Sequence, residues 1–119
     1  MVVDDEWLNR ELLEGVLTAI GYRALLVGTS EDAIPQANEY NPGLIIVDVR
    51  MPRMNGYEVC RLLRQQPSTE NTPILLISGL NAGSEERKQA DEVGANGIID
   101  RSTGVEKLAA LIQSFFPND

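Results

Sequence analysis

Five short apolar runs punctuate this sequence, and the segments between them carry apolar residues at helical spacing. The runs are Met1-Val2-Val3, Ala24-Leu25-Leu26-Val27, Leu44-Ile45-Ile46-Val47, Ile74-Leu75-Leu76-Ile77 and Ile98-Ile99. None shows the polar–apolar alternation of a strand with one wet face, so each reads as a strand covered on both sides. Strands of that kind need helices packed above and below them. Strict alternation of strand and helix supplies those helices, and right-handed crossovers make the sheet parallel.

The intervening segments predict five helices. Leu8, Leu12, Leu13, Val16, Leu17 and Ile20 form one stripe of a helix over residues 6–20, stopped by Gly21. Thr29 with Asp32 has capping-box spacing for a second helix reaching Tyr40, although Pro35 predicts a late start or a distorted first turn. Val59, Leu62 and Leu63 line a third helix, a polar fourth helix runs from Ser84 to Val93, and Gly94 ends it. Thr103 with Glu106 caps a fifth, with Val105, Leu108, Leu111, Ile112 and Phe115 as its stripe. The expected fold is therefore a doubly wound α/β domain, with a five-stranded parallel sheet in flavodoxin-like order 2-1-3-4-5 flanked by five helices.

Composition narrows the chemistry. The 119 residues suit one domain, and 43% apolar with 24% charged suits a folded, soluble one. The longest apolar run, from Leu108 to Ile112, is far too short to span a membrane, and no secretory leader opens the chain. A single cysteine, Cys60, leaves no internal disulfide and points to the cytoplasm. There is no histidine, which removes Ser-His-Asp catalysis, Cys-His catalysis and histidine-ligated zinc. Eighteen acidic against ten basic residues give a net charge of −8, which disfavours direct binding of nucleic acid or an anionic membrane.

What remains is carboxylate and hydroxyl chemistry, and the strand ends carry it. Asp4 and Asp5 follow the first strand, Asp48 the third, Ser78 the fourth and Arg101 the fifth. In an open parallel sheet, ligands bind beyond the carboxyl ends of the strands, where the strand order reverses. Here that point lies between the first and third strands, beside Asp4, Asp5 and Asp48. Crowded carboxylates repel, so either one holds a proton or a cation is bound. Magnesium suits such a site best, being hard and content with few carboxylates plus water. Ser78 and Arg101 could then serve an anion such as a phosphoryl group. The bland alternatives are capping acids, a turn serine and a surface arginine.

The chain resembles the receiver domain of two-component response regulators. The resemblance rests on Val2-Val3-Asp4-Asp5-Glu6, Asp48 with Met51-Pro52 and Asn55-Gly56, Ser78-Gly79, and Gly94-Ala95 with a basic residue seven after Gly94. It covers essentially residues 1–119, with no output domain among them. It implies that Asp48 is the phosphoacceptor, taking a phosphoryl group from a sensor histidine kinase, a phosphotransfer protein or a small donor. It implies magnesium (Mg2+) held by Asp5 and Asp48, with Asp4 acting through water and the Arg50 backbone carbonyl as a further ligand. Ser78 would be the switch hydroxyl, and its movement would repack the fourth helix, fifth strand and fifth helix, the face offered to a downstream effector. A homodimer is compatible with this scheme. The chain would catalyse no more than its own phosphorylation and dephosphorylation.

Three positions depart from the family pattern. Arg101 stands for a lysine, Ser102 for the proline that usually follows a cis bond, and Ile98 for the switch aromatic. These departures raise the alternative of a degenerate receiver that binds partners independently of phosphorylation. A magnesium phosphohydrolase with an aspartate nucleophile is disfavoured, because Arg50 occupies the place of its usual second aspartate.

Overall fold

A computed structural model describes residues 1–79 and 82–116. The apolar runs form one sheet of β1 (Val2–Val3), β2 (Leu26–Val27), β3 (Ile45–Asp48), β4 (Ile74–Ser78) and β5 (Gly97–Asp100). Its order is β2-β1-β3-β4-β5, and every pairing is parallel. Backbone bonds extend the short ladder of β1: the Ile46 N–H donates to the Met1 carbonyl and the Val2 N–H to the Leu25 carbonyl, each at 2.8 Å.

Alternation along each strand divides the core between two faces. Val3, Val27, Ile45, Val47, Ile74 and Leu76 pack against α2 (Ser30–Tyr40), α3 (Gly56–Arg64) and α4 (Ser84–Glu92). Val2, Ile46, Leu75 and Ile77 pack against α1 (Trp7–Ala19) and α5 (Val105–Ser114). The same alternation continues into the polar strand ends. It sends Asp4 and Asp48 toward the α1–α5 side and Ser78 toward the α3–α4 side.

Three local expectations are corrected. The second helix neither starts late nor waits for Pro35. It begins at Ser30, and the Thr29 hydroxyl accepts the Asp32 N–H at 3.3 Å. Burial of Ser30, Ala33 and Ala37 against the sheet, together with that cap, outweighs a proline cost of about 3 kcal/mol. The last helix is capped by Gly104 rather than Thr103. The Thr103 N–H is used in a turn instead, donating to the Asp100 carbonyl at 3.1 Å. On α1 only Leu13, Val16 and Leu17 are buried, while Leu8 and Leu12 are 64% and 63% exposed. Those two leucines lie off the flank of the stripe, rotated by roughly 90° (Leu12) and roughly 130° (Leu8) from its buried centre, and the sheet contacts only the middle of it.

Candidate functional site

The pairing of β1 with β3 builds the centre of the site. Val3 lies opposite Val47, so the residues that follow, Asp4 and Asp48, emerge side by side. Asp4 is 1% and Asp48 6% exposed, whereas Asp5 faces solvent. One carboxylate oxygen from each of the three lies within 4.8 Å of the others. Burial, helped by the neighbouring charge of Asp4, raises the Asp48 carboxyl from 3.8 to about 6, and Arg101 opposes the shift.

Arg101 reaches this cluster from the end of β5. Its Nη2 lies 3.0 Å from Asp4 Oδ2 and 3.0 Å from Asp48 Oδ1. Asp4 is held from other directions as well. The Glu6 N–H donates to its Oδ1 at 3.0 Å, and Arg10 Nη1 donates to its backbone carbonyl at 2.7 Å. Asp4, Asp5, Asp48 and Arg101 therefore meet at one point, as their positions in the sequence predict. The cluster offers hard oxygen donors with one exposed member, and this fits magnesium.

Ser78 lies apart from that contact. It is buried, and among the described residues neither its Oγ nor the buried hydroxyl of half-buried Tyr57 has a hydrogen-bond partner. Both side chains line a cavity of about 510 Å³ with Val49, Arg50, Glu86 and Gln89. Burial and the charges of Glu86 and Glu85 push the Tyr57 phenol up. An unbonded buried hydroxyl is a donor in want of an acceptor, one strand away from Asp48. Ile98 is half-buried opposite Leu76 and packs into the core beneath α3 and α4.

The loop after Asp48 is fixed by close approach. A Cβ at Gly56 would lie 2.4 Å from the Asp48 carbonyl oxygen, so only glycine lets α3 start there. Asn55 caps that helix in a full capping box with Glu58. The Arg50 backbone N–H lies near enough to the Asp48 carboxylate to favour its charged form, which puts Arg50 beside the acids. Arg53 sits in the left-handed region at φ 72° and pairs with Glu31 across the surface.

Sequence reasoning missed Arg10, Tyr57 and the exposed leucines of α1. Arg10 carried a signal, being a basic residue one turn into the helix that follows the acids. Tyr57 carried none, because its cavity is assembled from three separate segments. The apolar surface beside the site belongs to Leu12 and Val105, which line a groove of about 250 Å³ with Arg101 at one edge. On α4, by contrast, Ala90 is the buried residue, and its other side chains are mostly polar.

A parallel doubly wound sheet with an acid cluster at its switch point defines a flavodoxin-like domain built around a cation-compatible pocket. The profile of the "Response regulator receiver domain" family matches residues 1–113, and the chain belongs to that family. It is 36% identical over 114 residues to the response regulator PleD of Caulobacter vibrioides, covering 96% of this chain and 25% of that protein. It is 33% identical to the "Probable transcriptional regulator ycf27" of Pyropia yezoensis, covering 96% of this chain and 45% of the other. The chain thus spans less than half the length of these two relatives. Chemotaxis protein CheY4 of Vibrio cholerae superposes with a TM-score of 0.89 at 28% identity, over 96% of this chain and 94% of that one. The receiver domain of sensor histidine kinase PA1611 from Pseudomonas aeruginosa, described with magnesium coordinated in its active-site cleft, gives 0.87 at 26%, over 98% and 95%.

Proposed function

We propose that the chain accepts a phosphoryl group on Asp48 in a magnesium-dependent reaction and thereby changes how it binds a partner. The observation that carries this reading is the convergence of Asp4, Asp5 and Asp48 within 4.8 Å, with Arg101 on two of them. Asp5 and Asp48 would hold a magnesium ion, with Asp4 and the Arg50 carbonyl as further contributors, and the ion would supply charge neutralisation for the phosphoryl oxygens.

The protein's own residues do the rest. An ionised Asp48 oxygen forms the new bond to phosphorus as the bond to the donor nitrogen breaks; the electron pair returns to that nitrogen, and the donor's imidazole leaves neutral because its other ring nitrogen already carries a proton. Arg101 offsets charge on the transferred group. The unbonded Ser78 hydroxyl finds its acceptor when it turns toward that group, which empties its place beside Tyr57, Glu86 and Gln89. A group of nearly two negative charges, drawing one mobile donor, biases an element with two arrangements. The partners that fit are a sensor histidine kinase or phosphotransfer protein upstream, and an effector reading the face of α4, β5 and α5. Among the described residues no helix is long and apolar enough to cross a membrane, and a cytoplasmic place beside such a kinase suits the chain.

Incubation with magnesium and a small phosphodonor, followed by intact-mass measurement, tests the proposal. The parent is expected to gain one phosphoryl mass and Asp48→Asn none. No gain, or a gain that survives the substitution, would contradict it. Normal phosphorylation with unchanged partner binding would favour the phosphorylation-independent module instead.

A further inference from the structure

The exposed leucines of α1 belong to a regular seam. Leu8, Leu12, Gly15 and Ala19 follow one another at steps of four, three and four along the helix, and all four face solvent. That is the spacing of core positions in a coiled coil, so together they form one ridge turned away from the sheet. We propose that this ridge is a self-association surface, on which α1 of a second copy of the chain packs antiparallel. The inference is independent of the chemistry at Asp48.

The order of residue sizes selects the partner. The ridge carries two large side chains in its first half and two small residues in its second. Around a two-fold axis between antiparallel helices, Leu8 meets the partner's Ala19 and Leu12 meets the partner's Gly15, and the axis repeats both contacts. Every layer then holds one large and one small residue, which lets the two helices approach closely. Gly15 supplies the hole, since a Cβ placed there meets nothing within 4 Å. A parallel pairing would instead set leucine against leucine at one end and glycine against glycine at the other, leaving a gap without contacts.

Area and charge agree with that choice. Leu8 and Leu12 are 64% and 63% exposed, and Val105, 58% exposed, extends the apolar surface across the groove between α1 and α5. Contiguous apolar patches of this kind mark interaction surfaces. Pairing two of them buries on the order of 1,000 Å², the low end for a specific interface, so the association is weak and depends on concentration. The seam itself is uncharged. In a chain of net charge −8, two copies that meet on an uncharged ridge escape most of the repulsion they would feel elsewhere.

Sedimentation equilibrium from about 10 μM to about 1 mM tests this on three proteins. The mass of the parent is expected to rise with concentration from one chain toward two. Gly15→Leu fills the hole and is expected to associate at least roughly tenfold more weakly. It should keep or raise the melting temperature, because it removes a glycine from an exposed helix interior, so its loss of association is not unfolding. Exchanging the two sizes, with Leu12→Gly added to Gly15→Leu, restores one large and one small residue in each layer. That variant is expected to associate within about threefold of the parent. A parent that stays monomeric throughout, a Gly15→Leu variant that associates like the parent, or a folded double variant that stays monomeric overturns the proposal. Amide resonances of the parent should shift with concentration at Leu8, Leu12, Gly15 and Ala19 while those of α4 stay still. Shifts that centre on α4 also overturn it.

Discussion

The two ends of the sheet solve opposite problems. At the amino end of β4, all three guanidinium nitrogens of Arg64 donate hydrogen bonds. Its Nε donates to the Gly94 carbonyl at 2.9 Å, Nη1 to the Thr69 and Thr72 carbonyls at 3.0 and 2.6 Å, and Nη2 to Asn96 Oδ1 at 2.8 Å. Asn96 Oδ1 also accepts the Ile74 N–H at 2.9 Å, tying the clamp to the first residue of β4. At the carboxyl end, three acids crowd together and, among the described residues, two buried hydroxyls go unpaired. One end stores stability as satisfied hydrogen bonds, and the other keeps unsatisfied groups ready for a ligand. The switch we propose needs both, because a local rearrangement at one end changes a surface only if the other end stays fixed.

Substitutions can break that contrast, and the largest effect belongs to the satisfied end. Arg64→Ala is expected to lower unfolding free energy by about 3 kcal/mol in urea, while leaving the phosphorylated fraction of the folded protein unchanged. A loss below about 1 kcal/mol would show that the clamp is ornamental. Next comes Gly56→Ala, which forces a Cβ against the Asp48 carbonyl. It should cost about 2 kcal/mol and, unlike Arg64→Ala, also slow phosphorylation.

The charged end should respond in the opposite direction. Asp48 is raised to about 6, above its unfolded value near 4, so its charged form is disfavoured in the fold. Its contribution is therefore fully present below about pH 4 and is lost as pH rises through about 6. In chelator, Asp48→Asn should be more stable than the parent by about 2 kcal/mol at pH 7.5, with the gain vanishing by pH 4. Equal stabilities across that range would remove the strain from the account. Ser78→Ala should change stability least, by less than about 1 kcal/mol, because the hydroxyl it removes has no partner. A larger loss in metal-free protein would mean that Ser78 is bonded at rest.

Much of the carboxyl end was legible in the chain. Uninterrupted apolar runs specify buried parallel strands, and the strand order follows from alternation, so Asp4, Asp5 and Asp48 come together without any knowledge of side-chain contacts. Arg101 was legible as a charge near them, but not as a bridge between two of them. The amino end was opaque for a physical reason. Arg64 is one arginine at a helix end, and the groups it binds include Gly94 and Asn96, 30 and 32 residues away. No local pattern encodes such partners. The Tyr57–Ser78 cavity is hidden in the same way, since α3, β4 and α4 each give it only one or two side chains. The caps divided as well: the Thr29 hydroxyl accepts the Asp32 N–H and donates to the Asp32 carboxylate, whereas Thr103 sits in the turn at Asp100 and Gly104 takes the cap position.

The most direct test follows backbone amide resonances as magnesium and a small phosphodonor are added to the parent protein. Shifts are expected at Asp48, Ser78, Tyr57, Ile98 and Arg101, with Thr72, Gly94 and Asn96 at the clamped end nearly still. Shifts that centre on the clamp, or a spectrum that does not change at Asp48, would contradict the claim that the carboxyl end is the switch.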